Sequence, residues 1–342
     1  MGYAWVVDVG WNVTVVMGVD MSAVAGQQRT KMEENKYEPI AREMAKARVP
    51  IACELIWGLI GDNLASFETN LDRLFAVFPT INIFGYTLLP GTEFYGKREE
   101  YQIETLPVAG YGKAKGEYVV GCMSFPIEEG LEGYFLITAH LLMSRGYMMP
   151  LTLRYLALSE AVPVAGMMRS MLHALCAEFS EEIPGLNAAD KMGVYEFREE
   201  LFVTSFTYPE RTYQCVQRVA LQWIEDHMDN NVEAARLKHR VTQLLELDQA
   251  FAPHTGATRD VTAHFDFDAD KVMDTLEGMD LPAAALFAEQ PTEIGIHIPG
   301  GVGDIIKDPD GGVWIHAERS TGKDEHAAKL QPVTVQALAL PA

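Results

Sequence analysis

Between residues 12 and 89 the hydrophobic positions switch repeatedly between strand and helix spacing. Asn12 to Val19 (NVTVVMGV) is β-branched enough for a buried strand, and Lys36 to Lys46 places Ile40, Ala41, Met44 and Ala45 on one helical face. Residues 51 to 57 (IACELIW) are apolar except for Glu54 and predict a second buried strand. Leu64, Phe67, Leu71, Leu74 and Phe75 then recur at helical spacing, and INIFGYTLL returns to a strand that stops at Pro90-Gly91. The turn Gly58-Leu59-Ile60-Gly61 lets the backbone fold tightly and approach a ligand, and Asp62 or Asn63 caps the helix that follows. Alternation of this kind predicts an α/β fold with a parallel sheet and right-handed crossovers, either open or closed into a barrel. In such sheets ligands sit at the carboxyl ends of the strands. A carboxylate inside a buried strand is costly without a partner, so Glu54 is either ion-paired, with Arg29 or Arg42 for example, or contacts a cofactor or substrate.

Beyond Thr92 the pattern predicts a short charged helix and then a Gly-, Pro- and Lys-rich loop of about twenty residues, leading to a strand at Tyr118 to Cys122. Residues 128 to 250 are mostly helical in pattern, punctuated by Pro150, Pro163, Pro184 and Pro209. From Ala252 the composition shifts to short strands and loops. A helix is predicted near Val272 to Glu277, and a hairpin turns at Asp310-Gly311 between Gly303 to Ile306 and Val313 to His316. The tail after Ser320 is expected to be loosely ordered. The division is therefore 1–125, a barrel-like part; 126–250, a helical layer; and 251–342, a small β-rich α+β subdomain with its tail.

With 342 residues, 48% of them hydrophobic, the chain can bury a sizeable core. A formal net charge of -21 argues against nucleic acid as a partner, since phosphate binding needs a concentrated basic surface. The four cysteines, Cys53, Cys122, Cys176 and Cys215, lie far apart, which gives neither a CxxC metal pair nor a disulfide framework and points to a reducing cytoplasm. The longest apolar run, Tyr134 to Met143, is too short to span a bilayer, and the N-terminus lacks the basic flank of a signal peptide. Asp266, Asp268, Asp270 and Glu277 follow the spacing of a calcium loop, but Lys271 stands where the sharp turn needs glycine, which favours a capped helix start. Gly300-Gly301-Val302-Gly303 lacks the strand-to-helix context of a phosphate loop. His297 and His316 have no third placed ligand.

The run ELIWGLIGDNLASF, followed by INIFGYTLLPGTEFYGKREEYQIE, resembles the fifth and sixth strand motifs of radical S-adenosylmethionine enzymes, especially those with an N-terminal cobalamin-binding domain. VTVVMGVDMSAVAGQQRTKM is similar to the fourth strand and its loop in that family. The C-terminal HIPGGVGD and DPDGGVW look like the tail of some cobalamin-dependent members. The resemblance implies a partial (β/α) barrel of which this chain supplies the C-terminal half, with S-adenosylmethionine and a 4Fe-4S cluster as cofactors and cobalamin in the intact parent. It also implies methyl transfer to a small-molecule substrate. By position it implies that Ile56 lies against adenine, that Glu54 points into the barrel and that Leu88 and Leu89 close over the base. Met17, Gly18 and Asp20 then form the ribose-side loop, and Gly58 opens the cofactor turn.

The family's CxxxCxxC cluster motif is absent from these 342 residues, so no catalytic or metal-ligating residue is assigned and the chain is expected to be inactive alone. Ile60 stands where the family's turn has proline, and Asp62-Asn63 where it has Glu-Thr. A missing N-terminal half is the implied partner, and half a barrel leaves sheet edges through which the chain would associate. Two other readings remain open: a non-catalytic interaction subunit that keeps a barrel half, and an unrelated parallel α/β nucleotide-binding domain.

Overall fold

A computed structural model describes residues 6–9, 12–18, 37–47, 49, 51–78, 80–107, 116–145, 148–159, 162–252, 259–277, 292–298 and 336–337. The first unit is β1 (Val6–Val9), β2 (Asn12–Gly18), α1 (Tyr37–Lys46), β3 (Ile51–Trp57), α2 (Leu64–Phe75) and β4 (Thr80–Gly85). The strands β2, β3 and β4 pair parallel in that order, as the alternating pattern predicts, and each crossover carries a helix. A hairpin partner, β1, lies antiparallel to β2 and has no counterpart in the expected pattern. Asn63, not Asp62, is the N-cap of α2: its side chain accepts from the Ser66 N–H at 2.9 Å. Phe67, Leu71, Leu74 and Phe75 of that helix are buried, the face read from their spacing.

Around and after Thr92 the short helix and the strand near Tyr118 stand where the pattern predicts them, and one further strand interrupts the expected loop. The chain forms β5 (Thr87–Leu88) before Thr92 and then α3 (Glu93–Gly96), β6 (Glu104–Pro107) and β7 (Glu117–Gly121), with β7 antiparallel between β5 and β6. Within the stretch expected to be a twenty-residue loop, Glu104–Pro107 is a strand that pairs with β7, and residues 108–115 lie outside the described residues. The turn-forming glycines and lysines dominate its composition. The short strands pair only through tertiary neighbours: β6 with β7, and β7 with β5 on its other side.

Helical packing follows: α4 (Ile127–His140), a π-helical turn (Leu141–Arg145), α5 (Pro150–Ser159), α6 (Val164–Glu178), α7 (Lys191–Glu196), α8 (Arg198–Thr207), α9 (Pro209–His227) and α10 (Val232–Phe251). Pro150, Pro163 and Pro209 all stand at helix starts, where a missing N–H costs nothing. Glycines let α4 lie directly on the sheets. A Cβ at Gly133 would come within 2.0 Å of the Trp57 ring, and one at Gly130 within 1.8 Å of the Val120 carbonyl. The Trp57 indole N–H donates to the Gly130 carbonyl at 3.0 Å, fixing that approach. Carboxylates of neighbouring helices cap two helix starts. Asp72 on α2 accepts from the Val164 and Ala165 N–H groups, each at 2.8 Å, and Asp248 on α10 accepts from those of Leu151 and Thr152, each at 3.0 Å.

The chain continues as β8 (Arg259–Phe265), α11 (Ala269–Glu277), β9 (Thr292–Ile298) and β10 (Gln336–Ala337), an antiparallel sheet in the order β10-β9-β8. Asp268 accepts from the Lys271 N–H at 3.1 Å at the start of α11, the capped start preferred over a calcium loop. The pairing of Gln336 and Ala337 with β9 places a piece of the tail in a sheet where loose order was expected. The hairpin at Asp310-Gly311, Gly300 to Gly303 and His316 lie outside the described residues. One hydrophobic core runs from Ala41 to Leu276, so residues on both sides of position 125 share it. The fold is mixed α/β, mainly helical with small sheets, and no closed barrel occurs among the described residues.

Candidate functional site

The two faces of the parallel sheet are covered unequally. On one face Cys53, Leu55 and Trp57 are 0%, 1% and 0% exposed, and Ile81 and Ile83 of β4 are buried beside them, beneath the helices. The other face carries Ala52, Glu54 and Ile56 of β3. Its strand register aligns Val16, Glu54 and Asn82 in one row and Gly18, Ile56 and Phe84 in the next, nearer the carboxyl ends. Exposure rises along this face. Ala52 is 6% exposed, Glu54, Ile56 and Asn82 are half-buried, and Phe84 is 51% exposed. Parallel sheets are normally covered on both sides. This one opens toward the end at which α/β sheets bind ligands.

Glu54 and Ile56 therefore share a face, as their spacing requires. Gly18 falls level with Ile56, whereas Met17 falls level with Leu55, one residue out of the Glu54 row. Asp20 lies outside the described residues. Leu88 is wholly buried in the core, and Leu89 beyond it is 44% exposed. Gly58 takes φ +98°, open to glycine at low cost, but the space a Cβ would enter there is bounded by the protein itself: the Val119 carbonyl at 3.3 Å and Tyr86 at 3.6 Å. Of the arginines weighed as partners for Glu54, Arg42 donates to the Ala76 carbonyl at 3.1 Å and Arg29 lies outside the described residues.

The turn after β3 is held from within. Asp62 accepts from the N–H groups of Gly58 at 3.0 Å and Leu59 at 2.9 Å through one carboxylate oxygen. Its other oxygen is buried without a hydrogen-bond partner among the described residues. Burial pushes this carboxyl up to about 7, against the lowering effect of those two N–H groups. Ser124 adds a second tie, its hydroxyl accepting from the Gly61 N–H at 2.9 Å. The turn at the carboxyl end of β3 is thus held by Asp62 and Ser124.

The cysteines do not gather. Cys53 lies on β3, Cys122 just past β7, Cys176 on α6 and Cys215 on α9, all of them buried. Burial, with the Glu54 charge adding to it, holds the Cys53 thiol firmly protonated, and burial pushes that of Cys176 up to about 12. A 4Fe-4S cluster needs convergent thiolates, so these side chains do not fit one. Among the described residues no three His, Cys, Asp or Glu side chains are grouped to hold a metal ion, and no helix is long and apolar enough to cross a membrane.

Asn82 and Phe84 are absent from the set read off the sequence. Their signal was the alternation Ile81-Asn82-Ile83-Phe84, but only the register with β3 shows which parity faces Glu54. No protein-family model matches this sequence, and no curated protein matches it.

Proposed function

We propose that the chain is part of a radical S-adenosylmethionine half barrel of the cobalamin-associated type. In this reading the open face of its parallel sheet receives the nucleoside of the cofactor. The observation that carries it is the uneven cover of β3 and β4, where exposure grows toward the strand ends and Glu54 and Ile56 share the open face. Ile56 offers an apolar seat for the base, and Glu54 offers acceptor oxygens to hydroxyl or amino groups. Gly18 stands level with Ile56, and Leu89 stands exposed beyond β5. The four cysteines do not fit a cluster, so its ligands belong to the N-terminal half of the barrel, the partner this reading requires. The activity of the assembled parent is cobalamin-dependent methyl transfer to a small-molecule substrate.

Calorimetric titration of the purified chain with S-adenosylmethionine tests the cofactor wall. Saturable binding is expected, and Glu54→Gln weakens it about tenfold, the scale of one charge-assisted hydrogen bond. Absence of binding at millimolar cofactor would overturn the reading.

A further inference from the structure

We infer that the cleft between α1, the end of α2, the end of α5 and the start of α6 is a binding site for a short aliphatic monocarboxylate, with Arg42 the group that holds the carboxylate. The cleft encloses about 430 Å³, the size of a small-molecule site. It stands apart from the open sheet face and does not rest on the cofactor reading. Because α2 ends at Phe75 and β4 begins at Thr80, the cleft lies toward the amino ends of the strands, away from the Gly58 turn.

Four ionisable side chains line the cleft, and three of them already face a partner of opposite polarity. Glu38 is ion-paired with Arg73, and Asp72 accepts from the first N–H groups of α6. Arg42 is different. One of its Nη groups donates to the Ala76 carbonyl at 3.1 Å, which anchors the guanidinium, while its Nε and other Nη make no hydrogen bond among the described residues. That open side of the fork matches the two oxygens of a carboxylate. The remaining wall is apolar: Ala157, Val162 and Val164 are 6%, 6% and 1% exposed. A charged head at Arg42 therefore lies beside a hydrocarbon surface, the pairing of chemistries that a short fatty or branched acid presents. Charge limits the head to one carboxylate. A phosphate dianion at Arg42 would meet the Glu38 and Asp72 carboxylates in the same cleft, whereas a monoanion needs only the one guanidinium not already paired with an acid.

NMR titration of the full chain with butyrate, and with the neutral butyramide of nearly the same shape, tests the site. Butyrate is expected to bind saturably in the millimolar range, about tenfold or more tighter than butyramide. Arg42→Gln should weaken butyrate to the level of butyramide, and Arg42→Lys, which keeps the charge but loses the fork, should fall between them. Glu54→Gln, on the open sheet face, should leave butyrate binding unchanged. Arg42 also ties α1 to Ala76, so melting temperatures are compared alongside. The comparison of butyrate with butyramide on the wild type needs no variant and tests the inference even if Arg42→Gln does not fold. Equal binding of the two ligands, no butyrate binding at about 50 mM, or wild-type affinity in a folded Arg42→Gln would overturn the inference. So would displacement of butyrate by an equal concentration of inorganic phosphate, which would mark a general anion patch.

Discussion

Glu54, conspicuous in an apolar run, is only half-buried, whereas Asp62 and Asp248 are 1% and 2% exposed and burial pushes each up to about 7. Nothing in DNLAS or LELDQ marks those two as interior, because their cover comes from distant segments. A carboxyl whose folded pKa is raised holds its proton more tightly in the fold. It therefore favours the fold fully below the ordinary value of 3.8, and that contribution is lost as pH climbs to about 7. Burial raises Asp72 and Glu68 in the same sense, while the lowered Glu117 and Glu182 act at pH values below the usual carboxylate range. The melting temperature should accordingly decline between pH 4.5 and pH 7.5. Asp62→Asn, which keeps an acceptor and removes the charge, should flatten that decline. An unchanged slope in Asp62→Asn would mean that the carboxyl titrates as if exposed.

At the scale of elements, two features hold helices to their neighbours, and each can be removed singly. The Gly133→Ala methyl would enter the Trp57 ring, an overpacking expected to cost about 1–3 kcal/mol or more in urea unfolding. Gly96 has open space around its Cβ position, so Gly96→Ala should be neutral or slightly stabilising, and equal effects at the two sites would refute the packing described. Asp72→Ala should cost about 1–2 kcal/mol by uncapping α6, with Asp72→Asn milder. The α2 face, the parallel order of β2, β3 and β4 and the helix starts at proline were legible because period and punctuation are local. The strand β6 was not, since a strand of four residues acquires its pairing only from β7. At one sheet edge, His140 donates from Nε2 to the Ile81 carbonyl of β4 at 2.8 Å, so a helix covers part of an edge that the sequence left open to association.

For the whole molecule, the distribution of thiols gives a direct test. All four cysteines are buried and free in separate elements, so a thiol reagent should modify none of them quickly in the native protein and all four after denaturation. Anaerobic iron and sulfide reconstitution of the same chain should leave no stoichiometric 4Fe-4S absorbance. A full cluster signal would mean that the cysteines rearrange to converge. Both measurements address the candidate site, because the cofactor reading places the cluster ligands in another half of the barrel.

The sequence by itself determined the strands and helices between residues 12 and 85, that three strands run parallel, and that Glu54 and Ile56 share a face. Those properties follow from a period of two or 3.6 residues and from turn chemistry, which act over a few neighbours. Tertiary structure alone decided that this face stays partly uncovered, that Asn82 and Phe84 stand level with Glu54 and Ile56, that Leu88 is taken into the core, and that Asp62 rather than Glu54 is the sealed carboxyl. Burial and register belong to pairs of segments brought together from far along the chain, and neither is written in the segment that experiences it.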